Sequence, residues 1–143
     1  MISNRLSKIL LTVAGVSFLF NIIWENLQAP LYQWHGNFWQ QLPICFIASL
    51  GDVLIILILY FILATLNRNV FWTAKLSRTD AIIVIVLGVL IAVGIEKWAL
   101  AVGRWQYNSA MPLIPYVEVG LLPVLQMALL PLLAYYASKY IVD

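Results

Sequence analysis

Four long apolar segments constrain the fold of this chain more than any other feature. Each is long enough to cross a hydrocarbon core, which takes about 20 helical residues. They lie near residues 8–29, 43–66, 80–102 and 116–138. Of the 143 residues, 64% are hydrophobic and 10% are charged, whereas soluble domains are usually about 25% charged. The sequence therefore predicts an all-α protein, a four-helix transmembrane bundle that forms a single integral membrane domain over residues 1–143.

The basic residues are distributed unevenly among the connections. Arg5 and Lys8 come at the start of the first segment, and Lys139 follows the fourth. The connection between the second and third segments holds Arg68, Lys75 and Arg78. The other two connections hold only Arg104. By the positive-inside rule, this pattern predicts cytoplasmic termini and a multi-pass protein of the cell inner (plasma) membrane.

Aromatic residues cluster near the predicted membrane surfaces, where Trp and Tyr commonly anchor membrane helices. On this basis we expect an outer belt of Trp34, Trp39, Trp105 and Tyr107, and an inner belt of Trp72, Tyr136 and Tyr140.

Four acidic residues fall within or beside the apolar segments, one on each: Glu25, Asp52, Glu96 and Glu118. A charged side chain at the bilayer centre costs about 2.5–3.5 kcal/mol on insertion scales, so such residues usually have a function. With the termini inside, all four acids fall in the outer half of the bilayer, while the inner half reads as almost wholly apolar. We therefore expect them to line one shared pocket, and they are the candidate catalytic residues.

Polar and aromatic residues near the acids complete the expected pocket. Asn21, Glu25 and Gln28 are spaced i, i+4, i+7 and so share one helical face. On the third segment, Gly88 and Ala92 lead to Glu96 at four-residue intervals, which favours close helix packing. The candidate ligand-binding residues are Asn21, Trp24, Gln28, Tyr32, Trp98, Arg104, Trp105 and Gln126.

Carboxyl groups beside aromatic rings suit a cation, either a substrate amine or a carbocation formed by protonating an alkene. The leading hypothesis is a protein that binds a lipophilic or cationic small molecule, such as a membrane lipid. It includes an acid-catalysed isomerase or cyclase of an isoprenoid-like lipid, with Glu25 or Asp52 as the general acid.

Three other interpretations remain open. The acids can serve a proton- or cation-coupled transporter, although in the inner half only Gln126 and carbonyls near Pro123 offer a polar path. A homodimer could complete that path. The chain can also be a non-catalytic subunit or assembly factor of a larger membrane complex. The acids can also be structural, paired with Lys97 or Arg104.

Several classes of function have no sequence signal. No basic run indicates nucleic-acid binding, and no glycine-rich motif indicates a nucleotide. The one cysteine, Cys45, excludes an intramolecular disulfide, and the one histidine, His35, is a poor haem or metal ligand in a predicted surface loop. The sequence predicts no metal and no cofactor.

Four segments carry a resemblance that spans most of the chain: WENLQAPLY at 24–32, SLGDVLIIL at 49–57, GRWQYNSAMPLIP at 103–115 and GLLPVLQMALLP at 120–131. With them the chain resembles a group of small uncharacterised bacterial four-helix inner-membrane proteins. The resemblance implies the fold and the membrane, and it implies no activity.

Overall fold

The protein, in a computed structural model that describes residues 1–34 and 36–142, consists of four long helices. They are α1 (Ile2–Gln28), α2 (Phe38–Leu66), α3 (Arg78–Ala101) and α4 (Leu121–Val142). Short 3-10 helices follow α1 at Ala29–Leu31 and precede α3 at Trp72–Lys75. The predicted all-α four-helix fold is confirmed. His35, considered above as a ligand, lies outside the described residues.

All four helices are long and apolar enough to cross a membrane, judged by length and composition. Many of their large apolar side chains face outward, among them Leu54 on α2 and Leu90 on α3, which are about 60% exposed. Such surfaces suit contact with lipid rather than water. The chain is therefore a multi-pass integral membrane protein.

Two helices begin at capping boxes that hydropathy alone did not reveal. At the start of α2, the Asn37 side chain accepts from the Gln40 backbone N–H at 3.0 Å, and the Gln40 side chain accepts from the Asn37 N–H at 3.1 Å. Ser77 and Asp80 make the same exchange before α3. Reciprocal capping satisfies N–H groups that a helix start leaves free. Helix α2 consequently starts at Phe38, before Pro43 rather than at it.

Helix α4 begins at Leu121, five residues later than the predicted boundary at 116. The intervening chain turns back on itself: the Ile114 N–H donates to the Val119 carbonyl at 2.8 Å, and Tyr116 and Glu118 have positive φ angles of 68° and 57°. Left-handed residues of this kind do not continue a helix. Pro123 lies in the first turn of α4, where its missing N–H leaves no bond unmade.

The helices pack in the order α2, α1, α4, α3, and α2 and α3 make little contact with each other. The connections α1–α2 and α3–α4 lie at one end of the bundle, which we call the cap end. The α2–α3 connection and both chain termini lie at the other, which we call the termini end. Helix α4 is the most buried of the four, so side chains on its inner face meet the other helices.

Close packing of α3 on α4 depends on one glycine. A Cβ built on Gly88 would collide with the backbone carbonyl of Met127. Ala92, one turn further on, is also buried. The small-residue face predicted on the third segment is therefore the one that packs against α4.

The core at the termini end is aromatic and partly polar rather than wholly apolar. Tyr60, Trp72 and Tyr135 are buried and pack against one another, with ring centroids 5.1–6.1 Å apart. The Trp72 indole N–H donates to the Tyr60 carbonyl at 3.1 Å. The assignment of Trp72 to an interfacial belt is wrong, because its 3-10 helix folds the ring back into the bundle.

Candidate functional site

A hydrogen-bonded network centred on Gln126 joins three helices near the cap end. The Gln126 Nε2 atom lies 2.8 Å from Asn21 Oδ1, 2.9 Å from Glu25 Oε1 and 3.0 Å from Asp52 Oδ2. Asn21 and Glu25 are on α1, Asp52 is on α2 and Gln126 is on α4. The amide of Gln126 therefore fills the centre of the region that the sequence predicted to be a pocket.

The network continues toward the cap through Gln28. Gln28 Nε2 donates to Gln126 Oε1 at 3.1 Å, and the Trp24 indole N–H donates to Gln28 Oε1 at 3.0 Å. Asn21 and Gln28 are buried on one face of α1, as their spacing predicted. A continuous chain of hydrogen bonds thus links Trp24, Gln28, Gln126 and Asn21.

Glu25 and Asp52 form a pair at the edge of this network. Their carboxyl groups lie within hydrogen-bonding reach of each other, and both side chains are half-buried. Gln126, a neutral amide, donates to each carboxyl group. The cations considered as partners, Lys97 and Arg104, are exposed.

Hydrogen counting around the pair shows a shortage of donors. The Gln126 amide nitrogen carries two hydrogens, and it faces the three oxygens of Asn21, Glu25 and Asp52. Two ionised carboxylates side by side repel each other, and each can only accept hydrogen bonds. A proton on one of the two carboxyl groups would supply the missing donor.

Glu96 forms a second centre, closer to the cap. Its Oε2 atom accepts from the Tyr32 hydroxyl at 3.4 Å, from the Trp105 indole N–H at 3.2 Å and from the Tyr107 hydroxyl. Tyr32 follows α1, while Trp105 and Tyr107 follow α3. Glu96 therefore ties the α1–α2 and α3–α4 connections to the end of α3, an arrangement that we call the Glu96 clamp. Trp105 and Tyr107, which were predicted as belt residues, donate hydrogen bonds to a residue inside the protein.

Tyr107 also connects the Glu96 clamp to the start of α4. Its hydroxyl accepts from the Gly120 N–H at 3.1 Å, and its backbone forms an isolated bridge with Tyr32. Burial, with the nearby Glu96 carboxylate, raises the pKa of the Tyr32 and Tyr107 phenols well above the ordinary value. Both phenols consequently stay protonated and serve as donors. The Glu96 carboxylate is already supplied with three donors.

Three predicted site residues lie apart from the network. Glu118 is exposed in the turn before α4, because the helix that was to carry it starts three residues later. Trp98 and Arg104 are exposed on the surface, where the Arg104 guanidinium lies 5.9 Å from the centroid of the Trp98 ring. The structure thus joins Asn21, Glu25, Asp52 and Gln126 directly and excludes these three.

Two residues near the site were missed by sequence reasoning. Tyr107 was assigned to a surface belt, and Tyr135 was not considered, although its hydroxyl donates to the Ile56 carbonyl at 2.6 Å in the core. No local pattern identifies Tyr107 as a partner of Glu96, since the loop geometry decides it. Tyr135 had no such signal either, because a residue nine positions after Gln126 lies on the opposite side of a regular helix.

We expect Tyr107→Phe to lower the free energy of unfolding by about 1–3 kcal/mol, because the Gly120 N–H loses its acceptor and Glu96 loses a donor. The matched control is Tyr116→Phe, in the same connection but fully exposed, where a change within about 0.5 kcal/mol is expected. Unfolding in mixed micelles measures both, and limited proteolysis should cut residues 103–120 faster in Tyr107→Phe alone. Equal stability of the two variants would show that the clamp does not hold the cap.

Comparison with known proteins identifies no relative: no protein-family model, no curated protein and no solved structure matches the chain. The candidate site therefore stands on its own geometry.

Proposed function

We propose that this membrane protein binds a lipophilic small molecule and performs acid–base chemistry on it with the Glu25–Asp52 pair. The single observation behind the proposal is the contact between two half-buried carboxyl groups that share one amide donor. Adjacent carboxyl groups in a site of this kind hold one proton between them. Such a pair contains an acid and a base side by side.

Access from the bilayer supports a lipophilic substrate. Helices α2 and α3 make little contact, so the bundle is least closed between them. Asp52 on α2 and Glu96 on α3 nevertheless lie close enough for their charges to interact. A lipid that enters between these helices would reach the pair without crossing water.

The chemistry that suits the pair is isomerisation of an alkene, as in an isoprenoid-like lipid. The protonated carboxyl group gives its proton to one alkene carbon, and the π electrons form the new C–H bond. The other alkene carbon becomes a carbocation. A carboxylate then removes a proton from the carbon on the far side of that cation, and the electrons of that C–H bond form the shifted double bond. The pair regains its proton, so the reaction needs no other reactant. The rings of Trp24 and Tyr32 are the candidates for stabilising the intermediate cation.

The test is deuterium incorporation into lipid. The purified protein in nanodiscs is incubated in D2O with polyprenyl lipids, and the recovered lipid is analysed by mass spectrometry. Protonation and deprotonation at carbon should place deuterium on the lipid, and Glu25→Gln or Asp52→Asn should reduce incorporation by at least about 100-fold, within the range of general acid–base catalysis. Glu118→Gln, an exposed acid of the same chain, is the control and should keep the wild-type rate.

Native mass spectrometry of gently extracted protein gives a second measurement. A co-purifying lipid that disappears in Glu25→Gln and Asp52→Asn but persists in Glu118→Gln would identify the substrate class. A stoichiometric protein partner without any lipid would instead favour the subunit interpretation. Absence of both lipid binding and deuterium incorporation would contradict the proposed chemistry.

Proton-coupled transport is the second candidate, and one observation favours it. The half of the bundle at the termini end contains the buried hydroxyls of Tyr60, Thr73 and Tyr135, where the sequence had suggested only apolar packing. Buried polar groups in transmembrane helices often mark proton pathways. Proton uptake by liposomes that depends on Asp52, without deuterium on lipid, would select this alternative.

The distribution of Lys and Arg supports a cytoplasmic termini end and a location in the inner (plasma) membrane. Under this proposal the Glu25–Asp52 pair lies in the outer half of the bilayer. Labelling of a cysteine introduced at exposed Tyr116 in the cap of a Cys45→Ala variant, in intact cells with a membrane-impermeant reagent, tests the orientation.

A further inference from the structure

The Ser17 hydroxyl is buried without a hydrogen-bond partner among the residues that the structure describes. The side chain is 1% exposed, and it lies on the face of α1 that carries Asn21. The Asn21 side-chain amide donates to the Ser17 carbonyl at 2.8 Å, which places Ser17 directly below the network. An unpaired hydroxyl in an apolar interior costs about 1–3 kcal/mol of stability, and a bound molecule that forms a hydrogen bond with it would remove that cost.

Ser17 and the Tyr135 hydroxyl lie at the same depth in the bundle. Asn21 and Asp52 contact the same Gln126 nitrogen, so they mark one level on α1 and α2. Ser17 is four residues from Asn21 toward the termini end, and Ile56 is four residues from Asp52 in that direction. Both steps measure about 6 Å by helical rise.

The Tyr135 hydroxyl reaches the lower of these two levels from α4. It donates to the Ile56 carbonyl at 2.6 Å. Ser17, Ile56 and Tyr135 are all buried, and α1 packs against both α2 and α4. Depth and burial thus place both hydroxyls in the interior of the bundle just beyond the Glu25–Asp52 pair, and one of them is unpaired.

We propose that a water molecule bound between the Ser17 and Tyr135 hydroxyls carries protons between the Glu25–Asp52 pair and the termini end of the bundle. The inference rests on the proposed function, since it supplies the proton that the pair holds. A buried water requires at least two polar partners, and these two hydroxyls provide them. The Tyr135 oxygen keeps a lone pair free to accept from water while its hydrogen is donated to Ile56.

The path continues toward the termini end through Tyr60. Its ring centroid lies 6.1 Å from that of Tyr135, and its hydroxyl donates to the Val70 carbonyl in the α2–α3 connection, where Val70 is exposed. Each hydroxyl or water oxygen along the path receives one proton and releases another, while the Ile56 and Val70 carbonyls only accept hydrogen bonds. The net change is one proton lost from water at the termini end and one gained by the carboxyl pair.

The experiment follows the carboxyl proton by infrared spectroscopy of the protein in nanodiscs. A band from a protonated carboxyl C=O should be present at neutral pH and absent in Asp52→Asn. After transfer to D2O the band shifts, and the rate of the shift measures proton exchange. We expect Ser17→Ala and Tyr135→Phe to slow this exchange about tenfold or more, a barrier increase of about 1.4 kcal/mol per factor of ten.

Matched controls separate loss of the path from a general effect on folding. Ser49→Ala removes a buried hydroxyl that already donates to the Cys45 carbonyl, and Tyr136→Phe changes the exposed neighbour of Tyr135. Both should exchange at the wild-type rate, and Ser17→Thr, which keeps a hydroxyl, should restore most of the rate lost in Ser17→Ala. The amide bands report helix content in every variant.

The outcomes distinguish the two proposals. If the wild-type protein shows no protonated carboxyl band, the proton on the pair is refuted, and the proposed function falls with it. If the band is present but exchanges at the same rate in Ser17→Ala, Tyr135→Phe and the wild type, only the proposed path is overturned. Slower exchange in Ser49→Ala and Tyr136→Phe as well would also overturn it, since the effect would not be specific to the two hydroxyls.

Discussion

Replacing Gln126 with Leu should lower the free energy of unfolding by about 2–4 kcal/mol. Hydrogen bonds between membrane helices contribute only about 0.6 kcal/mol each on average. This substitution, however, removes four contacts of a single amide. It leaves four side chains without their shared partner: Asn21, Glu25, Gln28 and Asp52. Unsatisfied buried polar groups cost about 1–3 kcal/mol each, and part of that cost is relieved as the side chains rearrange.

The control for Gln126→Leu is Gln106→Leu, the same chemical change at an exposed position in the cap. It should alter stability by no more than about 0.5 kcal/mol. Unfolding in mixed micelles of increasing denaturing detergent, followed by circular dichroism, measures both variants. Equal or greater stability of Gln126→Leu would show that the network costs stability, as some buried ionic groups do, and that Gln126 does not hold the bundle together.

Replacing Gly88 with Val should have an effect at least as large, about 3 kcal/mol or more, from overpacking. The first atom added to Gly88 collides with the Met127 carbonyl, and backbone atoms have no alternative rotamer. Helices α3 and α4 must therefore move apart, and the packing that positions Gln126 beside α1 and α2 is disturbed. Weaker binding of any ligand at the Glu25–Asp52 pair is expected to accompany the loss of stability.

A glycine on the same helix provides the matched control. A Cβ at Gly94 would meet no atom within 4 Å, and the residue is exposed. Gly94→Ala should be neutral or stabilise the helix by up to about 1 kcal/mol, because Ala has the higher helix propensity. The two substitutions thus have opposite expected signs within two turns of one helix. Similar behaviour of both would exclude close α3–α4 contact as the cause.

The parts of the fold that depend on hydropathy were predictable. Each apolar segment is long enough to become a membrane-spanning helix, because its backbone must satisfy its own hydrogen bonds in lipid. The shared face of Asn21 and Gln28 follows from the 3.6-residue period, and both are buried together. These features need only local sequence.

The parts that depend on loop geometry were not predictable in this way. Glu118 lies outside the network because residues 112–121 form a turn with positive φ angles, which hydropathy does not encode. Arg104 is directed away by the end of α3, where Gly103 has φ of 74° and the Arg104 N–H bonds to the Ala99 carbonyl at 2.9 Å. Gly103 in the sequence can predict this Schellman-type helix ending, but it does not predict the direction in which the Arg104 side chain points.

The position of Gln126 on α4 has a consequence for biosynthesis. During synthesis α1 and α2 emerge first, and they carry Asn21, Glu25 and Asp52 into the membrane before their common donor exists. Only when α4 is inserted does one amide reach all three oxygens. A nascent chain that stops before residue 121 keeps its acidic groups without that donor. Completion of the network therefore distinguishes a chain that has inserted α4 from one that has not, and quality-control proteases that recognise exposed polar groups in the membrane could detect the difference.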